Sequence, residues 1–459
     1  VPDLSQIIKA YDVRGTVPDQ LNADIARAIG TAFARVLVER GVTQRTIVLA
    51  HDMRESGPGL IEAYAEGARA EGFDVINVGL CSTDELYYAS GILDLPGAMF
   101  TASHNPAKYN GIKHCYPGAK PVGQESGLAR VQEIAQELLD SDAKTGELVG
   151  GYSEREMLAD YAAHLRGLVD LSGIRPLKVV VDAGNGMGGH TVPAVLGDAL
   201  LPALPLDIVP MYFELDGSFP NHEANPLEPK NIVDLQARVV AEGADLGVAF
   251  DGDADRCFIV DADGAPVSPS AITALIATRE LAKYPGSTVI HNLITSKAVP
   301  EIVTENGGHP VRTRVGHSFI KAEMATTNAV FGGEHSAHYY FRDFWGADTG
   351  MLAAMHVLAA LGGQDRPLSE LGARFERYAA SGEINSTVTD GKAKLAEVKD
   401  HFADRPQDEL DGLTITFDDG AWVNLRPSNT EPLLRLNIEA PSAERVAALR
   451  DEVLAIVRG

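Results

Sequence analysis

Three things are scarce in this chain: cysteine, positive charge and long apolar runs. Cys81, Cys115 and Cys257 are the only cysteines in 459 residues. Few, odd in number and far apart, they fit a reducing cytoplasm better than a disulfide framework. Lys and Arg number 39 against 64 Asp and Glu, a net charge of −25. A nucleic-acid binder carries a basic footprint, so that class is set aside. An anionic ligand must then be met by a local cluster of Arg, Lys and His, against the overall field. No apolar run approaches a membrane span, and the first residues carry no signal-peptide pattern. The expectation is a cytoplasmic protein without a membrane partner. What is present, 45% hydrophobic and 22% charged residues, is ordinary globular composition, and the length suits three or four domains.

Hydrophobic periodicity divides the chain. Ile25, Ala28, Ile29, Ala32, Phe33, Val36 and Leu37 recur at helical spacing, and Gly41 stops the pattern as a C′ residue would. A strand over 46–50, a helix over 59–71, a strand over 73–78 and a helix over 84–92 are expected next. This alternation predicts parallel strands with crossover helices. Residues 141–156, polar and bearing Gly146, Gly150 and Gly151, read as a linker. A second α/β unit starts with a strand over 177–181 and continues through a helix over 231–242. A third begins with a helix over 271–283 and ends after 351–361. The remainder, with helices over 392–402 and 443–457 and strands between, has a different texture. The expected fold is three similar α/β domains with mixed, largely parallel sheets, over 1–148, 149–261 and 262–370. A smaller C-terminal α+β domain over 371–459 completes it.

Residues 251–256 read Asp-Gly-Asp-Ala-Asp-Arg after the apolar run 246–250. Asp251, Asp253 and Asp255 on a short loop can converge on a hard cation such as Mg²⁺. Arg256 suits a phosphate that shares the metal. A calcium EF-hand is excluded, because its sixth position needs Gly where Arg256 stands and its twelfth needs Glu where Ala262 stands. A solvated acidic turn is the bland alternative, but carboxylates this close repel unless something neutralises them.

Two more segments share the design of a short strand delivering a polar loop. Residues 97–100 lead into Thr101-Ala102-Ser103-His104-Asn105-Pro106, and 328–331 lead into Gly332-Gly333-Glu334-His335-Ser336-Ala337-His338. Open α/β sheets bind ligands at the carboxyl ends of their strands. Glu334, Ser336 and His338 alternate, so an extended segment would send all three to one side. A zinc site from His335 and His338 lacks a third ligand. Near the C-terminus, Arg426 follows a strand over 422–425, and Ser428, Asn429 and Thr430 form a polar turn. Such a turn offers hydroxyls and amides to an anion, with Arg435 on the next strand. Two other enzyme classes compete. Residues 184–189 satisfy G-x-G-x-x-G after the strand over 177–181, with Asp207 beyond, as in an NAD-dependent oxidoreductase. A metal-dependent sugar phosphatase would use the same Ser and Asp loops but release phosphate to water.

In order, Thr-Ala-Ser-His-Asn-Pro, Asp-Gly-Asp-Ala-Asp-Arg, Gly-Glu-His-Ser-Ala-His and Arg-Pro-Ser-Asn-Thr-Glu-Pro (426–432) resemble the motifs of the α-D-phosphohexomutases. The likeness covers essentially the whole chain and is strongest to the bacterial phosphomannomutases of that family. It implies four domains around a central cleft, each supplying one loop. It also implies reversible movement of phosphate between O1 and O6 of a hexose, mannose and also glucose. The route would be an enzyme phosphoserine and a hexose 1,6-bisphosphate, which also serves as activator. Ser103 matches the phosphoserine and, with Asp251, Asp253 and Asp255, a ligand of Mg²⁺. Lys113 matches a proposed general base, which Arg256 and a metal would give a lowered pKa. Arg14 matches a position facing the phosphoserine, and His104 a proton-transfer or positioning group. Glu334 and Ser336 match residues that grip the 3- and 4-hydroxyls of the sugar, with His317 and His338 nearby. Arg426, Ser428, Asn429, Thr430 and Arg435 serve the other phosphate. The implied partner is a small phosphosugar. Where relatives carry a Lys near the third-domain strand this chain has Ile294, and no role is carried over to Lys297.

Overall fold

In the computed structural model, which describes residues 2–141, 143–428 and 433–459, the chain forms two units. One comprises Val1–Val267 and Ser336–Ser369, the other Ser268–His335 and Glu370–Gly459. The alternation read from the sequence becomes, in the first unit, a mixed sheet. Its parallel strands Asp74–Leu80, Thr46–His51 and Gly97–Phe100 lie side by side; Tyr109–Tyr116 adds antiparallel to Gly97–Phe100, and Val13–Thr16 antiparallel to Tyr109–Tyr116. Helix Ala23–Glu39 starts where the Asn22 side chain accepts from the Ile25 amide, and Gly41 leaves it at φ 74°. Its apolar face, from Ile25 to Leu37, is buried in a core with Tyr64, Phe73 and Phe100. Helix Thr83–Leu93 is capped by Ser82 and carries Asp84 and Glu85 in its first turn, where acidic residues favour the helix dipole.

The stretch over 141–156 is more than a linker. Tyr152–Glu154 pairs in parallel with Asp74–Leu80, and the Val149 and Gly150 amides donate to the Arg69 carbonyl. Three residues of edge pairing are too short for a period-2 pattern to show in the sequence.

A second sheet of the same unit aligns Leu246–Phe250, Leu177–Asp182 and Leu206–Met211 in parallel, with Cys257–Asp261 antiparallel beside the first of these. Helix Gly350–Gly362, expected to close the third α/β unit, packs here. A Cβ on Gly350 would lie 2.6 Å from the Arg256 carbonyl carbon, and one on Gly362 would meet the Ile174 side chain.

In the second unit, Thr288–Asn292 lies between His309–Thr313 and Phe331–Gly333, all parallel. The last of these strands starts later than the expected 328, because Asn328 caps helix His317–Thr327 at φ 53°. The C-terminal sheet is antiparallel, built on Leu413–Thr416, Trp422–Pro427 and Leu433–Ala440. Helices Gly391–His401 and Ala443–Val457 supply Val398, Leu449 and Val453 to its core. Three α/β sheets and an antiparallel α+β sheet are the fold class that the periodicity predicts. Among the described residues no helix is long and apolar enough to cross a membrane.

Candidate active site

Two strand-end loops of the first unit meet at Ser103. Gly97–Phe100 runs into a loop in which Ser103 has φ 48°, a left-handed conformation costing a non-glycine residue about 1–2 kcal/mol. Leu246–Phe250 runs into the Asp loop. A Cβ on Gly252 would stand 2.3 Å from the Ser103 carbonyl oxygen, so glycine is what lets the loops approach this closely. Ser103 Oγ then donates to Asp251 Oδ2 at 2.9 Å and lies 3.3 Å from His104 Nδ1. Ser103 is 5% exposed, and Asp251 and Asp253 are fully buried.

The carboxylates of Asp251, Asp253 and Asp255 offer oxygens within 4.8 Å of one another. Arg256 Nε donates to Asp251 at 2.9 Å, and Lys113 Nζ bridges Asp253 at 2.7 Å and Asp255 at 2.6 Å. Thr83 Oγ1 donates to Asp253 Oδ2 at 2.6 Å. Asp253 Oδ1 and Asp255 Oδ1 are buried with no hydrogen-bond partner among the described residues. Burial, together with Asp255, pushes Asp251 well above the usual carboxylate range. Crowded, buried carboxylates with two unpaired oxygens fit a hard divalent cation. His338 Nε2 stands 3.9 Å from Asp255 Oδ1 and 4.0 Å from Asp348 Oδ2.

Two expectations change in detail. Lys113 is not lowered: burial works in that direction, but Asp253 and Asp255 outweigh it and hold the ammonium well above its ordinary value. Burial, reinforced by Arg256 and Arg14, pushes His104 down to about 2. Its Nδ1 accepts from Arg256 Nη2 at 2.9 Å, the geometry of a neutral positioning group. Arg14 reaches Asn105 Oδ1 at 2.6 Å and Asp12 at 2.5 Å, on the same loop system as Ser103.

The alternation of Glu334, Ser336 and His338 is not realised. Residues 335–336 turn, and Ala337 has φ 67°, so no extended segment sends the three to one side. Glu334 is buried and accepts from Asn292 Nδ2 at 3.2 Å in the second unit. Ser336 and His338 belong to the first, with Ser336 Oγ 3.2 Å from His338 Nδ1. His335 Nδ1 lies 3.0 Å from Ser270 Oγ, and His317 opens its helix. Arg426 sits within its strand rather than after it, directly opposite Arg435. The pair shares Glu383, at 2.9 Å and 3.4 Å, and Arg435 Nη2 is 3.5 Å from Ser428 Oγ. Asn429 and Thr430 lie outside the described residues. Lys297 donates to the Gly420 carbonyl and lies over the Tyr378 ring, which gives it a packing role.

Four family models match the chain in order. Those of phosphoglucomutase/phosphomannomutase α/β/α domains I, II and III cover residues 5–141, 159–264 and 268–378, and that of the C-terminal domain covers 383–456. The chain belongs to the phosphoglucomutase/phosphomannomutase family. It is 43% identical over 458 residues to a protein named phosphohexose mutases from Xanthomonas campestris pv. campestris, covering 98% of this chain and 99% of that one. It is 40% identical to the phosphomannomutase of Salmonella typhimurium, over 94% of each. The crystal structure of a phosphoglucomutase/phosphomannomutase family protein from Burkholderia thailandensis superposes with a TM-score of 0.87 at 33% identity, covering 100% of this chain and 98% of that one. As a member of this family the chain is a hexose phosphate mutase, an isomerase that works by intramolecular phosphotransfer.

Neither the oxidoreductase nor the phosphatase reading gains support. The glycine-rich stretch over 184–189 buttresses the Asp loop instead. The Met187 amide donates to the Gly252 carbonyl at 2.9 Å, and a Cβ on Gly186 would stand 2.7 Å from that same oxygen. Sequence reasoning passed over Thr83, Glu383, Asp52 and Arg54. Asp52 and Arg54 had a signal: Asp-Met-Arg follows the strand Thr46–His51 as the other polar loops follow theirs.

Proposed function

We propose that the chain interconverts hexose 6-phosphate and hexose 1-phosphate through a phosphoserine at Ser103, with Mg²⁺ on the Asp loop and a hexose 1,6-bisphosphate as intermediate and activator. The contact of Ser103 Oγ with Asp251, between two loops of one unit, carries this reading. Phosphorylated Ser103 gives its phosphoryl group to O6 of the hexose 1-phosphate. The P–Oγ bond breaks, a P–O6 bond forms, and the hydroxyl proton moves from O6 through a base to Ser103 Oγ. The bisphosphate turns round and returns the phosphoryl group on O1 to Ser103 Oγ, the proton travelling the opposite way, and hexose 6-phosphate is left. When bound, Mg²⁺ on Asp251, Asp253, Asp255 and Ser103 supplies charge against the transferring group and offsets the carboxylates that raise Lys113. Lys113 is then the base candidate, Arg256 faces the phosphoryl oxygens, and His104 and Arg14 hold the loop. Glu334 and Ser336 read the 3- and 4-hydroxyls, with His317 and His338 beside the sugar. Arg426, Ser428, Asn429, Thr430 and Arg435 take the second phosphate. Three buried cysteines, few and far apart in the chain, support placing the enzyme in the cytoplasm.

Mannose and glucose differ only at C2, which the Glu334 and Ser336 pairing does not read, so both 1-phosphates are the proposed substrates. Galactose 1-phosphate, inverted at C4, is expected to be poor. Two measurements test the reading. Mass spectrometry after incubation with a hexose 1,6-bisphosphate should find phosphate on the Ser103 peptide, and Ser103→Ala should lose about 10⁴-fold or more in turnover. Unchanged turnover ends the phosphoserine assignment. A preference of about 10³-fold between mannose and glucose in kcat/KM would show that another residue reads C2.

A further inference from the structure

Arg54 is 2% exposed, and all five of its N–H donors have acceptors. Nη2 donates to the carbonyls of Ser103 at 3.0 Å and Asn105 at 2.7 Å, and Nη1 to those of Pro106 at 2.9 Å and Tyr109 at 2.8 Å. Nε reaches Asp52 Oδ2 at 3.3 Å. Asp52, fully buried, also accepts from the Arg54 amide and from Thr101 Oγ1 at 2.7 Å, and Thr101 Oγ1 in turn accepts from the Ser103 amide at 2.9 Å. One network therefore holds both polar backbone groups of Ser103, the amide through Thr101 and the carbonyl through Arg54. The Phe219 ring covers the guanidinium at 5.2 Å. No donor of Arg54 is left for a substrate.

We propose that Arg54 is a positioning residue for phosphoryl transfer. Its guanidinium gathers the carbonyls of residues 103–109, holds Ser103 in its left-handed conformation and so fixes Oγ against Asp251. A planar fork on a short loop can serve four carbonyls at once, whereas a Lys ammonium has three donors at one point. A misplacement of the nucleophile by about 1 Å costs roughly a hundredfold in rate. Binding of the sugar and of its second phosphate does not depend on this network.

This inference rests on the phosphoserine reading, so three variants are compared: Arg54→Ala, Arg54→Lys and Ser103→Ala. The assay is turnover of mannose 1-phosphate, with and without millimolar guanidinium, and thermal melting. Both Arg54 variants are expected to lose about a hundredfold in kcat with KM within about threefold. Guanidinium should restore Arg54→Ala by about tenfold or more, as a ligand of the vacated carbonyls, and leave Ser103→Ala inactive. Active Ser103→Ala overturns the phosphoserine reading. Inactive Ser103→Ala beside an unimpaired Arg54→Ala overturns the positioning role alone. A loss that guanidinium does not relieve, or one that appears in KM, reduces Arg54 to a packing residue and overturns the proposal. If Arg54→Ala does not fold, the kcat and KM of folded Arg54→Lys decide by the same criteria.

Discussion

The Asp loop of the first unit and the arginine pair of the second solve opposite problems with the same economy. In the first, like-charged carboxylates are buried together, and Lys113 and Arg256 neutralise them in part. Two oxygens, Asp253 Oδ1 and Asp255 Oδ1, have no donor among the described residues. In the second, Arg426 and Arg435 face each other across an antiparallel pair, where like charges repel. Glu383 neutralises them in part, and the Nε groups of both have no acceptor among the described residues. Orphan acceptors suit a cation and orphan donors suit an anion. The difference lies in burial. The Asp loop is closed by several partners at once, whereas among the described residues Arg426 and Arg435 share one carboxylate that is a third exposed. A pre-formed cluster suits chemistry, and a lightly held one suits a ligand that must arrive and leave.

The largest test of this contrast is Asp253→Asn, which removes one charge at constant shape. Turnover should fall by roughly a hundredfold or more, while the thermal transition stays cooperative. Excess chelator should abolish activity, and full activity in chelator would mean that the orphan oxygens need no cation. Next in size is Arg426→Gln, which removes a charged contact worth about 1.5–3 kcal/mol. KM for the phosphosugar should rise by about ten- to a hundredfold with kcat little changed. A loss confined to kcat would place Arg426 in the chemistry and erase the distinction between the two regions. The smallest effect is expected from Glu383→Gln. If the carboxylate only stands in for a phosphate, its removal lowers KM by about two- to threefold, the scale of a screened, partly exposed ion pair. A raised KM would show instead that Glu383 orients the arginines.

Much of this was legible in one dimension. Strand Gly97–Phe100, strand Leu246–Phe250 and helix Ala443–Val457 fall where the periodicity puts them, because burial of one face imposes a repeat of 2 or 3.6 along the chain. The Asp loop was legible because its three carboxylates are neighbours in sequence. The contacts of Arg54 and Thr83 were not, since their partners lie 49 and 170 residues away. The alternation of Glu334, Ser336 and His338 misled because a turn with Ala337 in the left-handed region breaks it. Lys113 misled because the carboxylates that raise it arrive from 140 and 142 residues downstream.

By itself the sequence determined most of the helices and strands, which polar loops follow them and what family the chain belongs to. Those are local patterns of apolar spacing and residue type. Tertiary structure decided the electrostatic state of each group: which carboxylate oxygens lack a donor, that Lys113 is held charged and His104 neutral, and that Arg54 grips the Ser103 loop. Charge and hydrogen-bond energies depend on distance and burial in space, and neither is written along the chain.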